Sequence, residues 1–266
     1  MAKRQMYSRA DELIVYLKKF VKNEFNQMSN VGFDELNVLN AKAKVEAIYT
    51  QLQAENIKIY RDAAESANKF ALMLIELMKE GYPDSSLEGL VGLTTLALSR
   101  RIKKRSIDTA DVEDYISKNI KSSKSDDNAY GIGSEKWVKN YLGLYNRTTG
   151  YLYESEADRK RMRYTEEILT AKEYGDRKAY NDSTNKSANL WYNQSEQYLI
   201  GVVDEATIET YKANGVTEVM WLTEQDDRVC KSCKELHGKV YKIGSVPSKP
   251  HIRCRCYLIP IGYQDT

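Results

Sequence analysis

For its first 229 residues this 266-residue chain contains neither cysteine nor histidine. Thiolate and imidazole chemistry, whether nucleophile, general base or soft metal site, is thereby excluded from more than four-fifths of its length. Signatures of phosphate or nucleotide binding are missing too: there is no P-loop and no G-x-G-x-x-G after a strand. Nor is there a G-x-S-x-G elbow or an H-E-x-x-H pair. A Ser-His-Asp triad would have to be built from His237 or His251, the two histidines of the chain. The sequence therefore predicts a protein that is not an enzyme. No apolar run approaches the ~20 residues of a membrane helix, so no membrane partner is expected. Met1-Ala-Lys-Arg4 leads straight into polar residues rather than a secretory signal, which predicts a cytosolic origin. Net charge is only +2, so the average says little about partners, while 42% hydrophobic and 29% charged residues fit a soluble chain.

Glycine and proline are also missing where helices should be. Residues 8 to 28 place Leu13, Leu17, Phe20, Val21, Phe25 and Met28 three or four apart, the stripe of an amphipathic helix, with Gly32 after it. From Gly32 to Gly81 there are 48 residues without Gly or Pro, carrying Leu39, Val45, Ile48, Leu52, Ile59, Ala63, Ala67, Phe70, Leu74 and Leu77 at near-helical intervals. Unbroken, one helix there would run ~70 Å. Gly81-Tyr-Pro83 marks a turn. Leu87 to Leu98 reads as a buried helix ending in the basic run Arg100, Arg101, Lys103, Lys104 and Arg105, and Asp108 as the N-cap of another helix reaching Lys121. Ser122 to Ser134 has linker composition. Residues 135 to 200 are helical in pattern and rich in tyrosine, among them Tyr141, Tyr153, Tyr164, Tyr180 and Tyr198. Asp204 is expected to cap a short helix that Asn214-Gly215 ends. Short strands are expected at Val219–Leu222, Lys239–Ile243 and Cys254–Ile259. The fold class is thus α+β: a mostly helical, elongated N-terminal body followed by a small β-rich, cysteine-containing module. Its divisions fall at 1–121, a linker 122–134, a Tyr-rich helical region 135–215, and the module 216–266.

All four cysteines then crowd into 27 positions, as Cys230, Cys233, Cys254 and Cys256, with both histidines in the same stretch. A module this small needs a staple to fold. Cys230-x2-Cys233 is a knuckle that brings two sulfurs to one side of a turn, as tetrahedral zinc requires. The second pair, Cys254-x-Cys256, would share one face of an extended strand and supply two ligands, or one with His251 as the other. Two disulfides between the pairs are the competing arrangement, and a cytosolic setting favours metal. Pairing Cys230 or Cys233 with His237 for catalysis is conceivable, but every cysteine sits in a ligand-like pair. The module is basic as well. Residues 228 to 256 hold eight Lys or Arg against Glu235 alone, a local +7, leaving −5 for the rest. Clustered cations on an ordered scaffold bind phosphates without reading sequence. Arg228, Lys231, Lys234, Lys239, Arg253 and Arg255 are the candidates for contacting double-stranded DNA. Arg100 to Arg105 and the run Arg159, Lys160, Arg161 and Arg163 read as solvated helix faces.

The order Trp221-x-Thr223, Asp227-Arg-Val-Cys230, Cys233, Leu236-x-Gly238, Tyr241 and Pro250-His-x-x-Cys-Arg-Cys256 resembles the signature of the phage Mu protein F-like minor head proteins, the head morphogenesis proteins of tailed bacteriophages. The resemblance spans the last fifth of the chain, and Pro250-His251 inverts the His-Pro often found there. It implies a low-copy protein of the virion head interior, present in the host cytoplasm during assembly. Its implied partners are the phage portal protein and the capsid or scaffold interior, with double-stranded DNA that some relatives bind and accompany on ejection. The readings from other classes are a phage-carried toxin or hydrolase domain and a cellular zinc-ribbon DNA-binding protein.

Overall fold

The computed structural model describes residues 8–29, 33–79, 131–144, 152–223, 229–251, 254 and 256–264. The expected helices at 87–98 and 108–121, the basic run at 100–105, and the linker up to residue 130 lie outside the described residues, as do Gly32 and Arg228, Arg253 and Arg255.

Helix α1 (Ser8–Ser29) follows its apolar stripe, burying Leu13, Leu17, Val21, Phe25 and Met28. A 3-10 turn at Phe33–Glu35 leads to α2 (Val38–Lys79), 42 residues long. Asn37 starts α2: its Oδ1 accepts from the Leu39 and Asn40 amides, both at 3.0 Å, while Asn40 Oδ1 accepts from the Asn37 amide at 2.8 Å. This reciprocal cap satisfies donors that a helix start would otherwise leave orphaned. With no Gly or Pro to interrupt it, α2 runs about 63 Å. Helix α3 (Glu135–Gly143) is capped by the Ser134 hydroxyl, which accepts from the Trp137 amide at 3.2 Å. Gly133 just before it has φ 89°, and a Cβ there would meet Glu65 Cγ of α2 at 2.5 Å, so only glycine lets the chain enter α3 this close to α2. Helices α4 (Tyr153–Glu173) and α5 (Arg177–Ala213) form an antiparallel pair around Gly175, whose φ is 66°. Asp176 caps α5 through the Ala179 amide at 2.8 Å.

Contrary to the sequence expectation, no new helix starts at Asp204; α5 runs through it for 37 residues to the expected Asn214-Gly215 stop, where Gly215 has φ 74°. Asp204 serves a different purpose, pairing at 3.3 Å with Lys249 of the C-terminal module.

Helices α1, α2, α4 and α5 pack on one another, and the helices on either side of the expected linker share a single core. Aromatic rings dominate it. Tyr153 stands edge-on to Tyr198 at 5.0 Å and to Trp191 at 6.3 Å, and Tyr49 is edge-on to Trp191 at 5.1 Å. Such pairs contribute about 0.5–1.5 kcal/mol each beyond area burial. Two buried tyrosine hydroxyls find partners across helices: Tyr180 donates to Met28 O at 2.6 Å and Tyr60 to Ser195 O at 3.1 Å. Asn56 Nδ2 donates to the Tyr153 hydroxyl at 2.9 Å and to Ser195 Oγ at 2.8 Å, joining α2, α4 and α5. Tyr153, Tyr164, Tyr180 and Tyr198 of the Tyr-rich region are thus core residues, whereas Tyr174 is exposed.

The module is a three-stranded antiparallel sheet of order β2-β1-β3, from β1 (Val216–Leu222), β2 (Val240–Lys242) and β3 (Tyr257–Tyr263), with a short α6 (Lys231–Leu236) between β1 and β2. Central β1 sets Val219 opposite Tyr241 on one side and Pro260 on the other. Val216, Val219, Trp221 and Leu258 pack with the cysteines against Tyr211 of α5 and Ala71 and Ile75 of α2. Tyr211 also donates to Leu258 O at 3.1 Å, fixing the module to the end of the helical body.

Candidate metal centre

Cys230 is the N-cap of α6, and its Sγ accepts from the Cys233 amide at 3.3 Å. One helical turn then brings the Cys233 side chain onto the same face, as residues three apart on a helix are neighbours. The far end of α6 is clamped to β1. The Gly238 amide, at φ 76°, donates to Trp221 O at 2.8 Å, and the Trp221 amide donates to Lys239 O at 2.9 Å. The knuckle is therefore held by a strand and by a short helix, not by a free turn.

Against it come Cys254 and Cys256, both buried, as is Cys233; Cys230 is half-buried and His251 exposed. Cys233 Sγ lies 3.6 Å from Cys254 Sγ and 3.1 Å from His251 Nε2. Two sets of donor atoms lie within 4.8 Å of one another: Cys230, Cys233 and His251, and Cys233, Cys254 and Cys256. Cys233 belongs to both. All five sequence candidates are thus gathered at one place, a donor set able to hold a metal ion. The fit is good on chemistry and spacing. A tetrahedron of ~2.3 Å metal–sulfur bonds has sulfur–sulfur edges of about 3.8 Å, close to the Cys233–Cys254 separation. All four cysteines are free thiols.

The expected strand from Cys254 does not hold. β3 begins at Tyr257, and Cys254 and Cys256 precede it, turned into the cluster before the ladder starts. His237 is not part of the donor sets among the described residues. Its Nδ1 accepts from the Thr223 amide at 3.0 Å, which puts the proton of a neutral ring on Nε2. The imidazole braces Thr223 at the end of β1, and the Cys–His237 pairing considered from the sequence is not formed; Cys233 has His251 beside it instead.

The electrostatics divide the four thiols, raising Cys233 and Cys254 and lowering Cys230 and Cys256. Burial pushes the Cys233 thiol up to about 12. Cys254 is pushed up, chiefly by its hydrogen bond with the Cys256 side chain, and Cys256 is lowered by the same contact. Hydrogen bonding at the α6 start, first of all with the Cys233 backbone, lowers Cys230. A bound cation would displace the protons these thiols hold.

Sequence reasoning missed Lys249. Its Nζ donates to Cys256 O, lies 5.4 Å over the Trp221 ring, and pairs with Asp204. Its charge favours both the Cys254 and Cys256 thiolates, which is what an outer-sphere cation does for an anionic thiolate site. Nothing in Ser-Lys-Pro marks it, because the partner is 45 residues upstream in a helix. The local +7 is correspondingly reduced at this one position. Lys231 and Lys234 on α6 and Lys239 after it are exposed, as is Lys242, while Arg228, Arg253 and Arg255 lie outside the described residues.

The architecture defines a class: a helical body of long, tyrosine-packed helices closed by a small sheet built around a thiol–imidazole cluster. The family description "Phage Mu protein F like protein" matches residues 92–259, more than half of the chain and far upstream of the cysteine stretch that carried the resemblance. The chain belongs to the phage Mu protein F-like family of phage head morphogenesis proteins. No curated protein and no solved structure matches it. Among the described residues no helix is long and apolar enough to cross a membrane.

Proposed function

We propose that the protein is a minor component of the phage head interior, docked at the portal during assembly. Its C-terminal module, closed around a zinc ion, binds packaged duplex DNA without sequence preference and leaves the head with it. The observation that carries this reading is the family match over residues 92–259, joined to a C-terminal cluster of four thiols and an imidazole. Zinc suits a set dominated by thiolates. Cys230, Cys233 and Cys254 would hold it, with Cys256 or His251 as the fourth ligand, and it would supply a structural cross-link for a sheet too small to stand alone. The role needs no catalytic group. The long helices offer surface for protein contacts, and exposed Lys231, Lys234, Lys239 and Lys242, with Arg228, Arg253 and Arg255, offer charge to phosphates.

Gel-shift titrations over a range of salt test the DNA contact. Replacing Lys231, Lys234, Arg253 and Arg255 with Gln should weaken binding and flatten the plot of log affinity against log salt by about 0.9 for each phosphate no longer neutralised, for every duplex sequence alike. An unchanged slope refutes DNA binding by the module. Co-expression with the phage's portal protein tests the other partner, and failure to co-purify counts against docking.

A further inference from the structure

The metal centre offers five donors for the four positions around a tetrahedral ion, and the structure distinguishes the two that compete for the last one. Cys230, Cys233 and Cys254 are common to both arrangements. Cys256 shares its donor set with Cys233 and Cys254, and His251 shares its set with Cys230 and Cys233, so membership alone leaves them level. Distance separates them. Two ligands on one ion, with bonds of ~2.3 Å to sulfur and ~2.05 Å to nitrogen at a tetrahedral angle, stand about 3.6 Å apart. His251 Nε2 lies 3.1 Å from Cys233 Sγ, inside that edge and at hydrogen-bond distance. Cys233 and Cys254, at 3.6 Å, instead approach the sulfur–sulfur edge of about 3.8 Å that two thiolate ligands keep. His251 is also exposed, whereas Cys233, Cys254 and Cys256 are all buried.

The surroundings of Cys256 point the same way. A fourth thiolate is one more negative charge in a buried place, and it needs a cation or donors beside it. Lys249, its side chain 13% exposed, is that cation: Nζ donates to Cys256 O, lies 5.4 Å over the Trp221 ring, and is anchored by Asp204 at 3.3 Å. The Trp221 indole N–H is buried without a hydrogen-bond partner among the described residues, and it favours the Cys256 thiolate, the charged acceptor that a metal-bound Cys256 offers. We propose that Cys256 is the fourth ligand, that His251 stays outside and donates an Nε2–H hydrogen bond to the Cys233 sulfur, and that Lys249 is the positioning residue that sets Cys256 in place through its main chain. The proposal rests on the zinc reading given above. An N–H donor on a bound thiolate tempers its charge, so His251 acts through Cys233 and not on the ion. Asp204 holds Lys249 from α5, which ties the ligand shell to the helical body.

X-ray absorption at the zinc edge of the unaltered full-length protein counts the ligands without any variant. Four sulfurs at ~2.3 Å are expected, and three sulfurs with one nitrogen at ~2.0–2.1 Å overturn the assignment. Cobalt(II) in place of zinc gives a second readout, because thiolate-to-cobalt charge-transfer absorption grows with the number of sulfurs bound. His251→Ala should keep its full intensity, and Cys256→Ser should lose about a quarter of it, one thiolate of four; the reverse pattern overturns the proposal. Lys249→Met should lower zinc affinity about 10–100-fold, as loss of an outer partner does, and move the charge-transfer band to longer wavelength, with Lys249→Arg restoring both in part. A structural strap alone would leave the band where it is, so an unmoved band in Lys249→Met overturns the positioning role. A parent that takes up neither zinc nor cobalt overturns this proposal together with the zinc reading, whereas a three-sulfur site keeps the zinc and overturns this proposal alone.

Discussion

Because Cys233 belongs to both donor sets, the five ligand candidates are not equivalent, and their ranking is a direct prediction. Removing Cys233 leaves no three donors within 4.8 Å of one another among the described residues. Removing His251 leaves Cys233, Cys254 and Cys256 intact with Cys230 nearby; removing Cys256 leaves Cys230, Cys233 and His251. Structural zinc in small modules contributes about 10–16 kcal/mol, or on average roughly 2.5–4 kcal/mol per ligand of a four-ligand site, which corresponds to ~10²-fold or more in affinity. Cys233→Ser should therefore lower zinc affinity by at least ~100-fold, whereas His251→Ala should lower it by less than ~10-fold because Cys256 completes the set. Competition against a chromophoric chelator measures both. Far-UV circular dichroism, dominated by the long helices, should barely change in either variant, while amide exchange in β1 and β3 should accelerate in Cys233→Ser alone. Equal losses from the two variants, or full metal retention by Cys233→Ser, refute the pivot role.

Two further outcomes concern the fold. Asn56→Ala removes one buried side chain that donates to both Tyr153 and Ser195, leaving two hydroxyls short of a donor, and should cost about 2–4 kcal/mol in urea unfolding; a change below ~0.5 kcal/mol shows that the network does not hold the bundle together. Tyr211→Phe orphans Leu258 O and should cost about 1–2 kcal/mol, seen as faster amide exchange in β3 with α1 unaffected; uniform acceleration through the bundle contradicts its role as the tie between body and module.

What the sequence made legible follows from which signals are local. The stripe Leu13, Leu17, Val21, Phe25 and Met28 and the Gly- and Pro-free run to residue 79 give α1 and α2 nearly to their ends. Asn214-Gly215 gives the end of α5. Its start and continuity were hidden for two reasons. Gln194, Ser195, Glu196 and Gln197 are polar yet buried, so no amphipathic period survives in that stretch. Asp204 has the chemistry of a cap, and only its pairing with Lys249 shows why it sits inside a helix. In the module, cysteine spacing identified the cluster and all five donors. The departure of Cys254 and Cys256 from the strand, and the services of Lys249 and His237, depend on tertiary contacts that spacing does not encode.

Whether this chain works inside the phage head is decided by quantitative mass spectrometry of purified particles. Intact virions treated with protease before lysis should yield the full chain at a few copies per particle, far below the major capsid protein, and particles emptied by ejection should have less of it. Its absence from mature virions, or its complete digestion on intact ones, would contradict a place in the head interior.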